Sequence, residues 1–95
     1  MGDLNTTPDT PPYRRLTTGG PGSSLRDALH ESTTPHHGPT STFNGFGHAV
    51  QPDARIDYVF IRGPLTVERH GTLTDRWDGA FPSDHCPVWA AIRRA

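Results

Sequence analysis

Lysine is missing from this sequence, and cysteine occurs once. All nine basic residues are arginine, set against ten Asp and Glu for a formal net charge of −1. Such a balance gives no basic field to attract nucleic acid and no acidic field to repel it. The arginine bias points to a GC-rich genome and carries nothing about mechanism. With Cys86 alone, an internal disulfide and a cysteine-built zinc cluster are both excluded, while the redox compartment stays open. Apolar residues are also scarce, 32% of the chain, and no run approaches the roughly 18 residues that span a bilayer. The opening Met1-Gly2-Asp3-Leu4-Asn5 has neither the charged nor the apolar region of a signal peptide. Cytoplasmic localisation is the default expectation, with a signal upstream of Met1 left open.

What is present is 95 residues, enough for one small domain. Ten Gly and ten Pro predict a loop-rich chain whose packed part comes late, and no internal repeat is visible. Prolines 8, 11 and 12 precede a short helix expected at Tyr13–Leu16. Thr17 to Ser23 reads as a linker, and Ser24 as the N-cap of a second helix, Leu25 to Glu31, with Asp27 in its first turn. Residues 32–54 are rich in Thr, Pro, His and Gly and read as a long surface loop, with a small strand expected around Ser41–Phe43. Arg55–Ile61 is a strong strand, apolar on both faces except for Asp57. Gly63-Pro64 turns the chain, and Leu65–Gly71 is expected to return as its hairpin partner. Thr72 to Ser83 is a polar loop, and Pro87 to Ile92 is the last strand. Three strands without a covering helix layer make half a sandwich at best.

Asp57 is the most informative position. An ionised carboxylate among Ile56, Tyr58, Val59, Phe60 and Ile61 is costly to bury without a partner. That partner is an Arg such as Arg55 or Arg69, or water at a strand end, or a group with chemical purpose. His85, in Ser83-Asp84-His85-Cys86-Pro87-Val88, borders the last strand and is the natural candidate, because an Asp–His pair fixes the imidazole tautomer and favours its charged form. An ordinary loop histidine is the plain alternative. Asp3 and Asn5 would present a carboxylate and an amide on one side of an extended segment, suited to orienting a water or a phosphoryl oxygen; a polar N-terminal tail is the alternative. Ser83, Asp84 and His85 are adjacent and cannot aim at one another as a catalytic triad. Cys86 before Pro-Val reads as a small buried hydrophobe, and His30, His36, His37 and His48 as loop histidines without metal-ligand spacing.

The order of these motifs is more telling than any one of them. Gly-Asp-Leu-Asn, Thr-Pro-Asp-Thr-Pro-Pro-Tyr-Arg-Arg-Leu, Leu-Arg-Asp-Ala, Thr-Phe-Asn-Gly-Phe, Arg-Ile-Asp-Tyr-Val-Phe-Ile and Ser-Asp-His-Cys-Pro-Val follow one another from Gly2 to about Ile92. The series resembles the C-terminal half of endonuclease/exonuclease/phosphatase domains, most of all small bacterial members. Asn44 stands where related proteins often have His or Trp. The resemblance implies an α/β (α+β) fold: the C-terminal half of a four-layer α/β-sandwich, mainly antiparallel strands with short helices. The whole chain, residues 1–95, would be that portion of the domain, incomplete by itself.

The resemblance also implies roles. Asp3 would orient or deprotonate the attacking water, and Asn5 would contact the scissile phosphate. Asp57 would pair with His85, which would hydrogen-bond the phosphate. Asp84 would bind or position a divalent cation, Mg²⁺ or Mn²⁺, that polarises the phosphoryl oxygen. The family's upstream Asn and principal metal-binding Glu precede Gly-Asp-x-Asn and have no counterpart here. A fragment, a mis-called start codon or a decayed gene is therefore expected. The implied activity is hydrolysis of a phosphodiester or phosphomonoester by water. The substrate is left open between nucleic acid and a phosphorylated small molecule, and so is the oligomeric state. The alternatives are a non-catalytic remnant or interaction module that keeps the signatures, and an unrelated hydrolase using Cys86 and His85. Specificity is expected in the loops 32–54 and 73–83, where Trp77 and Phe81 suit either stacking on a base or plugging the fold.

Overall fold

The computed structural model describes residues 1–20 and 24–95. Along them run β1 (Gly2–Asp3), α1 (Pro11–Thr17), β2 (Arg26–Asp27), α2 (Ala28–Glu31), β3 (Asp57–Tyr58), β4 (Phe60–Ile61), β5 (Leu65–Thr72) and β6 (Val88–Arg94). All three ladders are antiparallel: β1 with β3, β2 with β4, and β5 with β6. No helix among the described residues is long and apolar enough to cross a membrane.

The expected strand Arg55–Ile61 is two short strands interrupted at Val59. The cause is a change of partner. β3 pairs with β1, an association extended by the Leu4 N–H bonding the Ile56 carbonyl, whereas β4 pairs with β2 and the Val59 carbonyl accepts from Ala28 N–H. This overturns the expected hairpin between Arg55–Ile61 and Leu65–Gly71. Past Gly63 (φ 86°) and Pro64 the chain turns sharply, Leu65 N–H reaching the Gly63 carbonyl, and β5 pairs with β6 instead. Arg26 braces that turn with hydrogen bonds to the carbonyls of Gly63 and Leu65.

The same pairing shortens the second helix. Arg26 and Asp27 are drawn into the ladder with β4, so the helix begins at Ala28, with Asp27 as its N-cap, its carboxylate accepting from Leu29 N–H. Ser24, expected to cap it, donates to the Gly20 carbonyl. The linker reading of Thr17–Ser23 falls partly on residues 21–23, outside the described residues. The first helix is longer than expected, Pro11–Thr17, because Pro11 and Pro12 occupy its first turn, where a missing N–H costs nothing. It delivers Tyr13 to Tyr58 and Phe60, with ring centroids 5.5 and 6.0 Å away.

Residues 32–56 contain no strand beyond isolated bridges; in the expected Ser41–Phe43 strand only Phe43 makes one, to His85. The 33–38 stretch lies along β5, with His37 bridged in parallel to Gly71. The core is small: Ala28, Val59, Ile61 and Val67, with Leu65, Val88 and Ala90 packed against it. The radius of gyration is 14.0 Å, against roughly 12 Å for a closed domain of this length, and Ile92 on β6 is 45% exposed. An open shape of this kind fits an incomplete α/β domain of short antiparallel strands and few helices.

Candidate active site

Thr42 organises the site. Its hydroxyl accepts from the backbone N–H groups of Ile56 (3.0 Å) and Asp57 (3.2 Å), and its carbonyl accepts from Cys86 N–H at 2.7 Å. With 1% of its surface exposed, it ties the strand bearing Asp57 to the segment bearing His85. Asn44, equally buried, clamps that segment further: its amide donates to the Ser83 carbonyl at 3.0 Å, and its backbone N–H to the Asp84 carbonyl at 2.9 Å. The Phe43 ring stands edge-on to the His85 imidazole, centroids 5.4 Å apart.

Held in this way, His85 Nδ1 lies 2.8 Å from Asp57 Oδ2. The pairing of β1 with β3 sets Asp3 directly across from Asp57. Asp3 Oδ2 lies 4.0 Å from His85 Nε2, and its Oδ1 accepts from Asn5 N–H at 2.7 Å. Asp3, Asp57 and His85 thus form a group whose ligand-type atoms all lie within 4.8 Å of one another. The group faces a cavity of about 320 Å³, walled by Gly2, Ser83 and Pro87 among others. A larger cavity of about 650 Å³ is lined by Tyr13, His30 and Arg55 and includes none of the three.

The His85 imidazole is pushed above its ordinary pKa chiefly by its hydrogen bond to Asp57; desolvation works against this, and the charges of Asp57, Asp3 and Asp84 add to it. The shift favours the charged imidazolium. That suits donation from Nε2 to an anionic oxygen better than a lone pair offered to a metal. For a divalent cation the donor set offers two carboxylates. Asp57 Oδ2 already accepts from His85 and Asp3 Oδ1 from Asn5 N–H, which leaves one oxygen of each carboxylate, that of Asp3 on the more exposed side chain. One carboxylate supplemented by water and substrate oxygens is an arrangement that Mg²⁺ accepts, so the residues fit a hard cation on the Asp3 side.

Of the sequence-derived candidates, Asp3, Asp57 and His85 come together. Asn5 sits beside them but not as expected: its φ of 54° ends the extended segment, and its side chain does not line the cavity. Asp84 is adjacent in sequence and acts on His85 through its charge, yet stands outside the three-residue group. Arg55, considered as a partner for Asp57, instead meets Asp27 with two 2.6 Å bonds. Cys86 is buried, 3% exposed, as expected of a small hydrophobe. Phe81 is buried beneath the Arg76 guanidinium, whereas Trp77 is 63% exposed on a tight turn through Asp78 and Gly79. Sequence reasoning missed Thr42. Its only signal was a hydroxyl beside an aromatic in an otherwise polar loop.

Short antiparallel strands present an acid–histidine–acid cluster at a cavity on an incomplete α/β frame. The model of the endonuclease/exonuclease/phosphatase family matches residues 1–85, and the chain belongs to that family. No curated protein matches it significantly. Among solved structures, it is similar to a functionally unknown conserved protein from Enterococcus faecalis V583: 29% identity and a TM-score of 0.86, over 100% of this chain and 35% of that one. It is also similar to the mannosyl-6-phosphatase Bt3783 of Bacteroides thetaiotaomicron: 26% identity and a TM-score of 0.84, over 96% of this chain and 35% of the other. An endonuclease/exonuclease/phosphatase from Bacteroides vulgatus, 22% identical with a TM-score of 0.83 over 98% of this chain and 34% of its own, shares the fold. The chain therefore spans about a third of the length of these structures, and its fold is of the phosphoesterase type.

Proposed function

We propose that this chain carries the C-terminal part of a divalent-metal-dependent phosphoesterase site that hydrolyses a phosphodiester or phosphomonoester by attack of water. The observation that carries the reading is the Asp3–His85–Asp57 geometry. Asp57 holds His85 at Nδ1 and favours its charged form, which leaves Nε2–H to donate to a phosphoryl oxygen. Asp3 and His85 Nε2 are 4.0 Å apart, too far for a direct hydrogen bond. The space between them suits a reacting oxygen, with Asp3 orienting or deprotonating the attacking water. Asn5, beside Asp3, is assigned to the scissile phosphate. Asp84 keeps its assignment as a carboxylate that positions the cation, from beside the group. Mg²⁺ or Mn²⁺ bound at Asp3 would polarise a phosphoryl oxygen and offset negative charge as the P–O bond breaks. The mannosyl-6-phosphatase neighbour favours testing a sugar phosphate monoester alongside a phosphodiester.

The test uses a protein that joins residues 1–95 to the remainder of a family domain. Turnover of a generic phosphodiester or a sugar phosphate should require Mg²⁺ or Mn²⁺ and disappear in Asp3→Asn. Absence of both turnover and metal binding in a folded protein would favour a non-catalytic interaction module. Metal-independent turnover would sink the metal assignment alone.

A further inference from the structure

His70, on β5, is buried with 2% of its surface exposed, and it takes no part in the site just described. Its Nδ1 lies 2.9 Å from Nδ1 of His36. The hydrogens of this pair follow by elimination. His36 Nε2 is 2.8 Å from the Pro39 carbonyl oxygen, which can only accept, so His36 carries its hydrogen on Nε2. A neutral His36 then offers a lone pair at Nδ1, and His70 donates to it from Nδ1–H. His70 Nε2 is left as a bare acceptor, and it is buried without a hydrogen-bond partner.

The pair joins two segments that otherwise meet through few main-chain bonds. Thr33 N–H bonds the Val67 carbonyl, His37 N–H the His70 carbonyl, and Thr72 N–H the His37 carbonyl. The threonine hydroxyls of residues 33 and 34 reach the carbonyl of Glu68, the residue where the β5–β6 register shifts. Gly38 (φ 81°) allows the close approach, since a Cβ there would collide with the Thr72 carbonyl oxygen. The segment thus covers the edge of β5 that β6 does not use, and four residues further on it becomes Thr42, the anchor of Asp57.

We propose that the His36–His70 pair is a proton-sensitive latch that holds residues 33–38 on the edge of β5, and that acid frees this segment before the rest of the chain unfolds. The hydrogen bond needs one lone pair between the two Nδ1 atoms. A first proton added to the pair leaves one hydrogen between the two Nδ1 atoms and one on each Nε2, and the His70 Nε2–H then points where no acceptor waits. A second proton sets two N–H groups face to face and breaks the contact.

The surroundings do not offset an imidazolium. From α2 comes His30, from β2 Asp27, and from the segment just before β3 Arg55. Asp27 is the carboxylate among them, and both its oxygens already bind Arg55. Opposite on β6 stands Ala90, uncharged, while Arg93 is engaged by Glu68. Burial first, then the charges of His36 and Arg55, push the His70 pKa down to about 4.

Nitrogen-resolved NMR of the chain near pH 7.5 should find the hydrogen of His36 on Nε2 and that of His70 on Nδ1. As pH falls toward about 4, hydrogen-exchange protection of the Thr33, His37 and Thr72 amides should drop at least roughly tenfold, while that of Ala28 and Cys86 holds. His70→Asn keeps a donor near the Nδ1 position without the titration, and should abolish the selective loss. The opposite tautomers, unchanged protection of the three amides, or their loss together with Ala28 and Cys86 would each overturn the latch. If His70→Asn does not fold, the wild-type tautomers and exchange order still decide.

Discussion

His85 and Asp57 meet at 2.8 Å across a junction that neither β3 nor the segment before β6 creates by itself: Thr42, from a third segment, sets both. The raised pKa of His85 depends first on that hydrogen bond. Its sign is definite. A histidine whose folded pKa lies above the ordinary value stabilises the fold fully below about pH 6.5, and that contribution fades as pH rises through the folded pKa. Asp57→Asn should bring the His85 pKa down toward its ordinary value, followed by NMR titration of the imidazole. An unchanged His85 pKa in that variant would show that Asp3 and Asp84, not Asp57, set its charge.

In a protein carrying the whole family domain, His85→Ala should lower phosphoesterase turnover at least about 10²-fold, as expected of a positioned charge-stabilising or proton-transfer group. Cys86→Ser should change it little, because the thiol is buried and its neighbour Asn44 reaches it only with a 3.4 Å N–H···S contact. Equal losses in the two variants would revive a thiol nucleophile.

Thr42→Val keeps the shape and removes the acceptor shared by the Ile56 and Asp57 N–H groups. A buried donor left without a partner costs about 1 to 3 kcal/mol. The variant should lose at least that much stability in chemical denaturation, and Thr42→Ser should recover most of it. A Val variant as stable as wild type would mean that water or another acceptor takes over both N–H groups.

Much of the site was legible because its chemistry is odd for its surroundings. A lone Asp in an apolar run demands a partner, and the histidine bordering the last strand met that demand. The topology was less legible. Arg55–Ile61 has the composition of one strand, but composition does not record that β1 and β2 share it, so neither the break at Val59 nor the pairing of β5 with β6 could be read from adjacency in the chain. The same-side argument for Asp3 and Asn5 assumed an extended backbone, and the left-handed φ of Asn5 ends that segment, which the pattern of residues does not record. Asp27 was read as an ordinary first-turn acid. Its real partner lies 28 residues away, a separation that sequence pattern does not reveal.

That partner gives the last prediction. Asp27 and Arg55 have side chains only 3% and 8% exposed. Burial pushes the Asp27 carboxyl up, but the bonds and charge of Arg55, the Tyr13 hydroxyl and Leu29 N–H together bring it below its usual value. Stability from Asp27 is therefore present above the unfolded carboxylate range and lost as pH falls through the lowered folded value. Asp27→Asn leaves the Arg55 guanidinium buried without a counter-charge, and should cost about 3 to 5 kcal/mol. Tyr13→Phe removes only the 2.8 Å hydroxyl bond to the same carboxylate and should cost less, about 1.5 to 3 kcal/mol. Asp27→Leu with Arg55→Met removes both charges and should be more stable than Asp27→Asn alone, because replacing a buried pair by apolar groups avoids the desolvation that breaking it exposes. Denaturant titration of the three variants ranks them. A double variant less stable than Asp27→Asn would mean that the pair contributes through its geometry, holding α2 and the Asp57 strand together, more than through avoiding an uncompensated charge.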